Sequence, residues 1–208
     1  MPSHLDTIAS RFGHRWWTPP LFYNHSYSLR FELGQESDFW LEYLEVAKLR
    51  ACTVMDVALG SSGPLLLAIA RYQQGPESSA QEQADLRDAL GEYGLPELSA
   101  FEAEVHPEDD ADGYVWLGVA ELESAHRGRV VWASIACEFG YLPSTPGAMY
   151  LLSLTKDLIC HPYDARGMDV VGTTASSLAD LYTTHNEWLL DYDRVKMDSL
   201  FAKQSRSY

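Results

Sequence analysis

Histidine, tyrosine, aspartate and arginine crowd into nine positions of this chain, His161-Pro162-Tyr163-Asp164-Ala165-Arg166-Gly167-Met168-Asp169. A histidine beside a tyrosine and a carboxylate can move protons, and an arginine can hold an anion while they do so. The functional reading of the run is therefore an acid–base site, hydrolase-like in character, built from His161, Tyr163, Asp164, Arg166 and Asp169. No nucleophile or phosphate cradle stands near it. The same residues also suit a demanding turn. Pro162 withdraws a backbone donor and ends strand pairing. Gly167 can supply a positive φ, and Asp164 can bond its own backbone. Arg166, two residues from Asp164 and three from Asp169, could fork between the two carboxylates. Turn architecture is the stronger reading, because a polar cluster peculiar to a fold is not by itself a site.

Other combinations offer less. His161 and Asp164 could share an ion, but no histidine or cysteine pairing completes a ligand set, so no metal and no cofactor is expected. Gly60-Ser61-Ser62-Gly63 has the wrong glycine spacing for a nucleophile elbow. It also lacks the Lys-Ser/Thr of a phosphate loop, and reads as a helix-to-strand connection. His185 falls on an apolar helical face, where a core histidine is the ordinary reading. Arg30 and Glu32 share one face of a strand by its period of two. An ion pair covered by the preceding aromatic segment accounts for them; the functional reading adds them to the 161–169 cluster.

Several elements must position these groups. Residues 4–13 suit a short helix. The segment through Trp16, Trp17, Pro19, Pro20, Phe22, Tyr23 and Tyr27 is broken by its prolines, and reads as an extended arm laid over the core. Tyr27–Leu33 alternates as a strand. Ser37 is a candidate N-cap for a long helix whose core stripe runs Trp40, Leu44, Ala47, Ala51, Val54 and Ala58, ending at Gly60. Strand patterns follow at 64–72, 101–105, 114–122, 129–139, 148–154, 158–161 and 168–172, with a surface helix near 80–93. From about Ala175 one helical face carries Leu178, Leu181, Tyr182, His185, Leu189 and Tyr192, and a second short helix reaches Ala202. The expected fold is α+β: an antiparallel meander sheet flanked by helices, with the C-terminal helix packed on the sheet. One domain spans 1–208, with 1–27 as the arm and 161–203 as signature hairpin plus C-terminal helix.

Composition narrows the class. A hydrophobic share of 46% over 208 residues supports a real core, and no long apolar run predicts a membrane span. The start lacks a secretory pattern, and Cys52, Cys137 and Cys160 are scattered, odd in number and without a C-x-x-C, which suits a reducing cytoplasm. Thirty acids against fifteen bases give a net charge of −15. Such a field repels phosphate backbones and speeds encounter with a basic protein. Glu102, Glu104, Glu108, Asp109, Asp110 and Asp112 read as a solvated loop, and as the first surface to test against a basic partner.

The His161–Asp169 run, followed by Glu187–Phe201 with its Asp191-Tyr192-Asp193-Arg194 knot, resembles the C-terminal signature of an uncharacterised bacterial family, domain of unknown function 3885. Leu29-Arg30-Phe31-Glu32-Leu33-Gly34 resembles its N-terminal pattern. Ala165 departs from the resemblance, where a second acidic residue is expected. Small acidic members of the family look like immunity proteins of toxin systems. The turn reading gives a structural role to His161, Tyr163, Asp164, Arg166, Gly167 and Asp169, with Asp191, Asp193 and Arg194 bracing the hairpin from the last helix. The −15 charge, the incomplete catalytic set, the single domain and the resemblance together point to a non-enzymatic, cytoplasmic immunity protein that occludes a cognate, basic toxin without contacting nucleic acid or membrane. The alternatives are the hydrolase-like enzyme and a prophage-type DNA-binding regulator, for which Lys196, Lys203 and Arg206 form the one mild basic cluster.

Overall fold

Both faces of the central strands are apolar, so the sheet needs cover on both sides. The computed structural model describes residues 3–60, 63–73, 80–98, 100–105, 114–136 and 147–202, with backbone alone at 73, 80 and 100–105. Seven strands form one antiparallel sheet: β1 (Ser28–Glu32), β2 (Pro64–Gln73), β3 (Ala100–Val105), β4 (Tyr114–Glu123), β5 (Ala148–Ser153), β6 (Leu158–Pro162) and β7 (Gly167–Gly172). Their order is β1-β7-β6-β5-β2-β4-β3. The signature hairpin β6–β7 thus lies inside the sheet, with β1 returning from the N-terminal part of the chain to pair with β7.

Leu65, Leu67 and Ile69 of β2, Met149 and Leu151 of β5, and Met168 and Val170 of β7 face one core layer. It is covered by α3 (Trp40–Leu59), α4 (Ala80–Glu92), α5 (Arg127–Ala136), α6 (Ala179–Thr184) and α7 (Arg194–Ala202). Leu66, Ala68, Tyr150, Leu152, Ile159 and Val171 face the opposite layer, where α1 (His4–Phe12) contributes Leu5 and Ile8 and the arm contributes Trp16, Trp17 and Leu21. The fold is α+β, and the second face is closed by the aromatic arm. α1 starts from a capping box in which Ser3 and Asp6 satisfy each other's backbone donors. Trp16 meets Tyr150 edge-on at 5.5 Å, and the Tyr150 hydroxyl donates to the Trp17 carbonyl at 2.5 Å. No helix among the described residues is long and apolar enough to cross a membrane.

Local expectations fail where tertiary packing overrules propensity. The 129–139 stretch, strand-like in its β-branched residues, is the helix α5 over its described part. Its buried positions Arg127, Val130, Val131, Ser134 and Ile135 follow helical spacing, and they pack against α3. The single helix expected from 175 to 192 breaks after Thr184. Leu189 bridges to Phe31, and the Leu190 N–H donates to the Arg30 carbonyl at 2.9 Å, so this segment covers the outer edge of β1. Tyr192 is consequently exposed rather than part of an apolar face. The prolines do not keep the whole arm extended, because a one-turn helix, α2 (Leu21–Asn24), starts directly after Pro20. Phe39 rather than Ser37 stands at the N-cap of α3, and Trp40 projects outward instead of joining the stripe.

The closing of the second face by large rings sets an expected outcome. Trp16→Ala should lower the unfolding free energy by about 3–5 kcal/mol in urea denaturation. Tyr192→Ala, at an exposed ring, should stay within about 0.5 kcal/mol of the parent.

Candidate functional site

Strand register brings Arg30, Asp169 and His161 side by side across β1, β7 and β6. All three lie on the sheet face covered by the arm. Asp169 is fully buried. It accepts from Arg30 Nε at 2.7 Å and Nη2 at 2.9 Å, and its Oδ2 also accepts the Phe22 backbone N–H at 3.0 Å. One carboxylate thus ties β7 to β1 and to the arm. Arg30 in turn reaches Asp193, with Nη1 3.5 Å from Oδ2. Its guanidinium lies 5.0, 4.9 and 5.5 Å from the ring centres of Phe22, Tyr23 and Tyr163. Burial works against the Arg30 charge. The hydrogen bonds and charge of Asp169 outweigh it, with Tyr163 and Asp193 adding, and hold the guanidinium above its ordinary range.

The ion pair anticipated between Arg30 and Glu32 does not form: Arg30 turns inward to Asp169, while Glu32 is exposed. Around the same arginine, the Tyr23 hydroxyl donates to Asp193 at 2.8 Å, and that bond raises the phenol's pKa. Lys196 donates to the Phe22 carbonyl at 2.8 Å and sits 4.2 Å over the Phe22 ring. This base of the mildly basic C-terminal cluster is therefore engaged on the arm; Lys203 and Arg206 lie outside the described residues.

His161 is buried and stacks on Tyr150 with ring centres 4.5 Å apart. Its Nδ1 lies 2.9 Å from the Met149 carbonyl oxygen. A carbonyl only accepts, so Nδ1 carries the proton. Burial lowers the pKa of the ring against the raising effects of that carbonyl and of Asp169, keeping the imidazole neutral. The same burial pushes the neighbouring Tyr150 phenol up.

Between the strands, Asp164 builds the turn. Oδ1 accepts the backbone N–H groups of Arg166 at 2.7 Å and Gly167 at 3.2 Å, while Oδ2 accepts Arg166 Nε at 2.9 Å. The Arg166 carbonyl receives the Leu33 N–H at 2.9 Å, fastening the turn to the chain beyond β1. Asp169, the other carboxylate within reach of Arg166 in sequence, is taken by Arg30 instead. Gly167 does not have the positive φ expected of it. Its role is space: a Cβ there would fall 1.9 Å from the Tyr163 hydroxyl and 3.0 Å from the Phe31 carbonyl. Ala165 is buried in the helical-face core, so an acidic residue in its place would enter an apolar layer.

Asp191 is exposed and stands apart from the hairpin. Arg194 braces the C-terminal region, donating to the Asn186 carbonyl and to Asp198, each at 3.0 Å. His185 stacks on Trp188 at 4.7 Å. Of the acidic run, Glu102 and Glu104 belong to the edge strand β3, while Glu108, Asp109, Asp110 and Asp112 lie outside the described residues. No group of three or more His, Cys, Asp or Glu suited to a metal ion occurs among the described residues. Cys160 is buried and Cys52 partly so, with burial raising both thiols; Cys137 lies outside the described residues.

A cleft of about 680 Å³ opens where the hairpin turn meets the chain after β1. Arg30, Glu32, Glu36, Tyr43, Tyr163 and Arg166 line it beside Pro19, Pro20 and Leu190. The Tyr43 ring fits there because Gly34 has no Cβ; one would fall 2.2 Å from it. His161, the general base of the acid–base reading, does not line this cleft. Arg30 joins the cluster, as the functional reading of its strand has it, but through Asp169 rather than as the partner of Glu32. The available signal was a charge at an inward position of an otherwise apolar strand, matched by a second in β7.

Asp169→Asn should cost about 3–5 kcal/mol, because it leaves Arg30 facing a neutral partner. Replacing the pair together, Arg30→Met with Asp169→Leu, should recover most of that loss in the same denaturation series. His161 and His25 both have pKa values lowered by burial. Below about pH 6.5 the unfolded state binds more protons than the folded state, so stability present at neutral pH is lost on acidification. The unfolding midpoint should fall from about pH 7.5 to about pH 5.5, and His161→Gln should flatten that fall.

A family model described as Domain of unknown function (DUF3885) matches residues 5–193. No curated protein and no solved structure matches the chain.

Proposed function

We propose that this chain, which belongs to the DUF3885 family, is an immunity protein that binds a cognate bacterial toxin in the cytoplasm and neutralises it by stoichiometric occlusion. The inward engagement of the signature carries this reading. Asp169 is buried on Arg30, His161 is held by a carbonyl, and Asp164 is closed on its own turn. The groups that could do chemistry are therefore spent on the framework, while the chain's net charge is −15. Exposed carboxylates such as Glu36, Asp38, Glu42, Glu45, Asp88 and Glu121 present that charge to solvent. A basic toxin would be drawn in by this field, and its cationic cleft covered by carboxylates where it would otherwise hold a phosphate or other anion. The acidic run of Glu102, Glu104, Glu108, Asp109, Asp110 and Asp112 belongs to the proposed contact.

One observation favours a second reading. Tyr163 and Arg166 line a cleft large enough for a small ligand, so a hydrolase-like enzyme working there is the alternative. It would need an acid–base group other than the buried His161.

Co-expression with the toxin encoded beside this chain should restore growth, and the two purified proteins should form a 1:1 complex. Absence of both protection and complex would sink the immunity reading. Neutralising the six acids of the 102–112 run to Gln and Asn should slow association at low salt about tenfold and flatten its dependence on ionic strength.

A further inference from the structure

The start of α3 breaks the rules of a helix that has only to be stable. Phe39, Trp40 and Leu41 are consecutive, and 71%, 52% and 50% of their surfaces are exposed. Three exposed apolar residues in a row at a helix start are a liability to a protein that stays alone in water. Leu49, 67% exposed, continues the patch two turns on, along the line Leu41, Glu45, Leu49. Phe39 also occupies the N-cap without a side-chain cap bond, at a position where Ser, Asp or Asn would serve the helix better. Ser37 lies just upstream, yet its hydroxyl receives the Phe39 N–H at 3.1 Å and donates to Glu42 at 2.6 Å, which fixes the loop with the ring pointing out. Local stability is sacrificed here for an exposed aromatic side chain.

Charge along this segment has one sign, with the Arg50 guanidinium at its border 3.4 Å from the Gln35 side-chain oxygen. From Gln35 to Ala47 the chain has Glu36, Asp38, Glu42 and Glu45 and no lysine, arginine or histidine. All four carboxylates are exposed. Glu36, Asp38, Phe39 and Glu42 line one shallow concavity, and Glu36 also lines the cleft beside the signature turn. The next base, Lys48, has its ammonium 5.4 Å over the Trp132 ring of α5. The surface therefore combines apolar anchors with a carboxylate rim and runs on into the cleft.

We infer that the start of α3, residues 36–49, is the docking surface for a lysine- or arginine-rich segment of the toxin that carries a large apolar side chain at its centre. This rests on the immunity reading and adds to it a contact, with its chemistry, distinct from the 102–112 run. The apolar side chain would pack on Phe39, Trp40 and Leu41, where aromatic anchors concentrate binding energy. The surrounding cations would meet Glu36, Asp38, Glu42 and Glu45, which steer encounter and fix register.

The test uses the full chain and the purified toxin encoded beside it, with calorimetry for affinity, stopped-flow mixing for association rate and sedimentation for mass. Phe39→Ser is the informative variant, because serine is a better N-cap and the unfolding midpoint should stay level or rise. Phe39→Ser with Leu41→Ser should weaken toxin binding by at least about 30-fold. Glu36→Gln, Asp38→Asn and Glu42→Gln together should lower the association rate and its salt dependence. Tyr192→Ala with Val195→Ala, at exposed residues elsewhere, should bind as the parent does. If the parent forms the complex and the Phe39/Leu41 variant binds equally well, this surface is wrong and the immunity reading stands. A parent that sediments as a dimer, with a monomeric Phe39→Ser variant of unchanged toxin affinity, would assign the patch to a second copy and overturn the inference. A parent that neither binds nor protects overturns both.

Discussion

A single buried carboxylate joins the signature hairpin of this molecule to its first strand and its aromatic arm. Asp169 has no exposed surface, and desolvating it is tolerable only because Arg30 and the Phe22 N–H satisfy it together. Each partner comes from a different element: Arg30 from edge strand β1, Phe22 from the arm. The ion pair does not have to add net stability to matter. Its value is in placement, since any shift of β1 relative to β7 would strand a charge in an apolar layer. Arg30 then extends the arrangement to Asp193, Tyr23 and Tyr163, so the knot before α7 is held to the same centre.

The strands were legible as short apolar runs between turns, and most of the helices by their period. β2 and β5 read as short apolar runs because both of their faces are buried, and the stripe of α3 from Leu44 to Ala58 is helical. α5 was misread because Val130, Val131 and Ile135 favour strands by type, while their spacing together with Arg127 and Ser134 was helical all along. The helix expected through His185 to Tyr192 broke for a reason outside its own sequence, because Leu189 and Leu190 are needed at the edge of β1. At the signature, the Asp164 turn could be inferred from local spacing. The engagement of Asp169 could not, since its partner lies 139 positions away and only strand register joins them. Gly167 shows a subtler limit: its type was informative, but the cause was the Tyr163 hydroxyl above it rather than its own φ.

The molecule separates its two kinds of polar residue. Those of the hairpin are buried or bound to one another and give the fold its unique register. Those along the start of α3 project into water beside aromatic rings that are more than half exposed. A binding protein can vary the second set without disturbing the first, because surface substitutions away from such networks change stability little. The cleft between them, reached by both Arg166 and Glu36, is where the two regions touch.

The outer edge of β1 has a further consequence for how the chain is made. Arg30 is sealed by Leu190 and by the Met197 sulfur, which receives its N–H at 3.2 Å. A ribosome must therefore release the chain as far as β7 and Leu190 before the first strand has both neighbours. Until then the nascent N-terminal segment, with its tryptophans and its unpaired arginine, waits without a sheet to cover. Closure of this end of the sheet is thus a late event during biosynthesis. Prematurely terminated chains would display the apolar arm to the cell's chaperones and proteases instead of accumulating as partly active fragments.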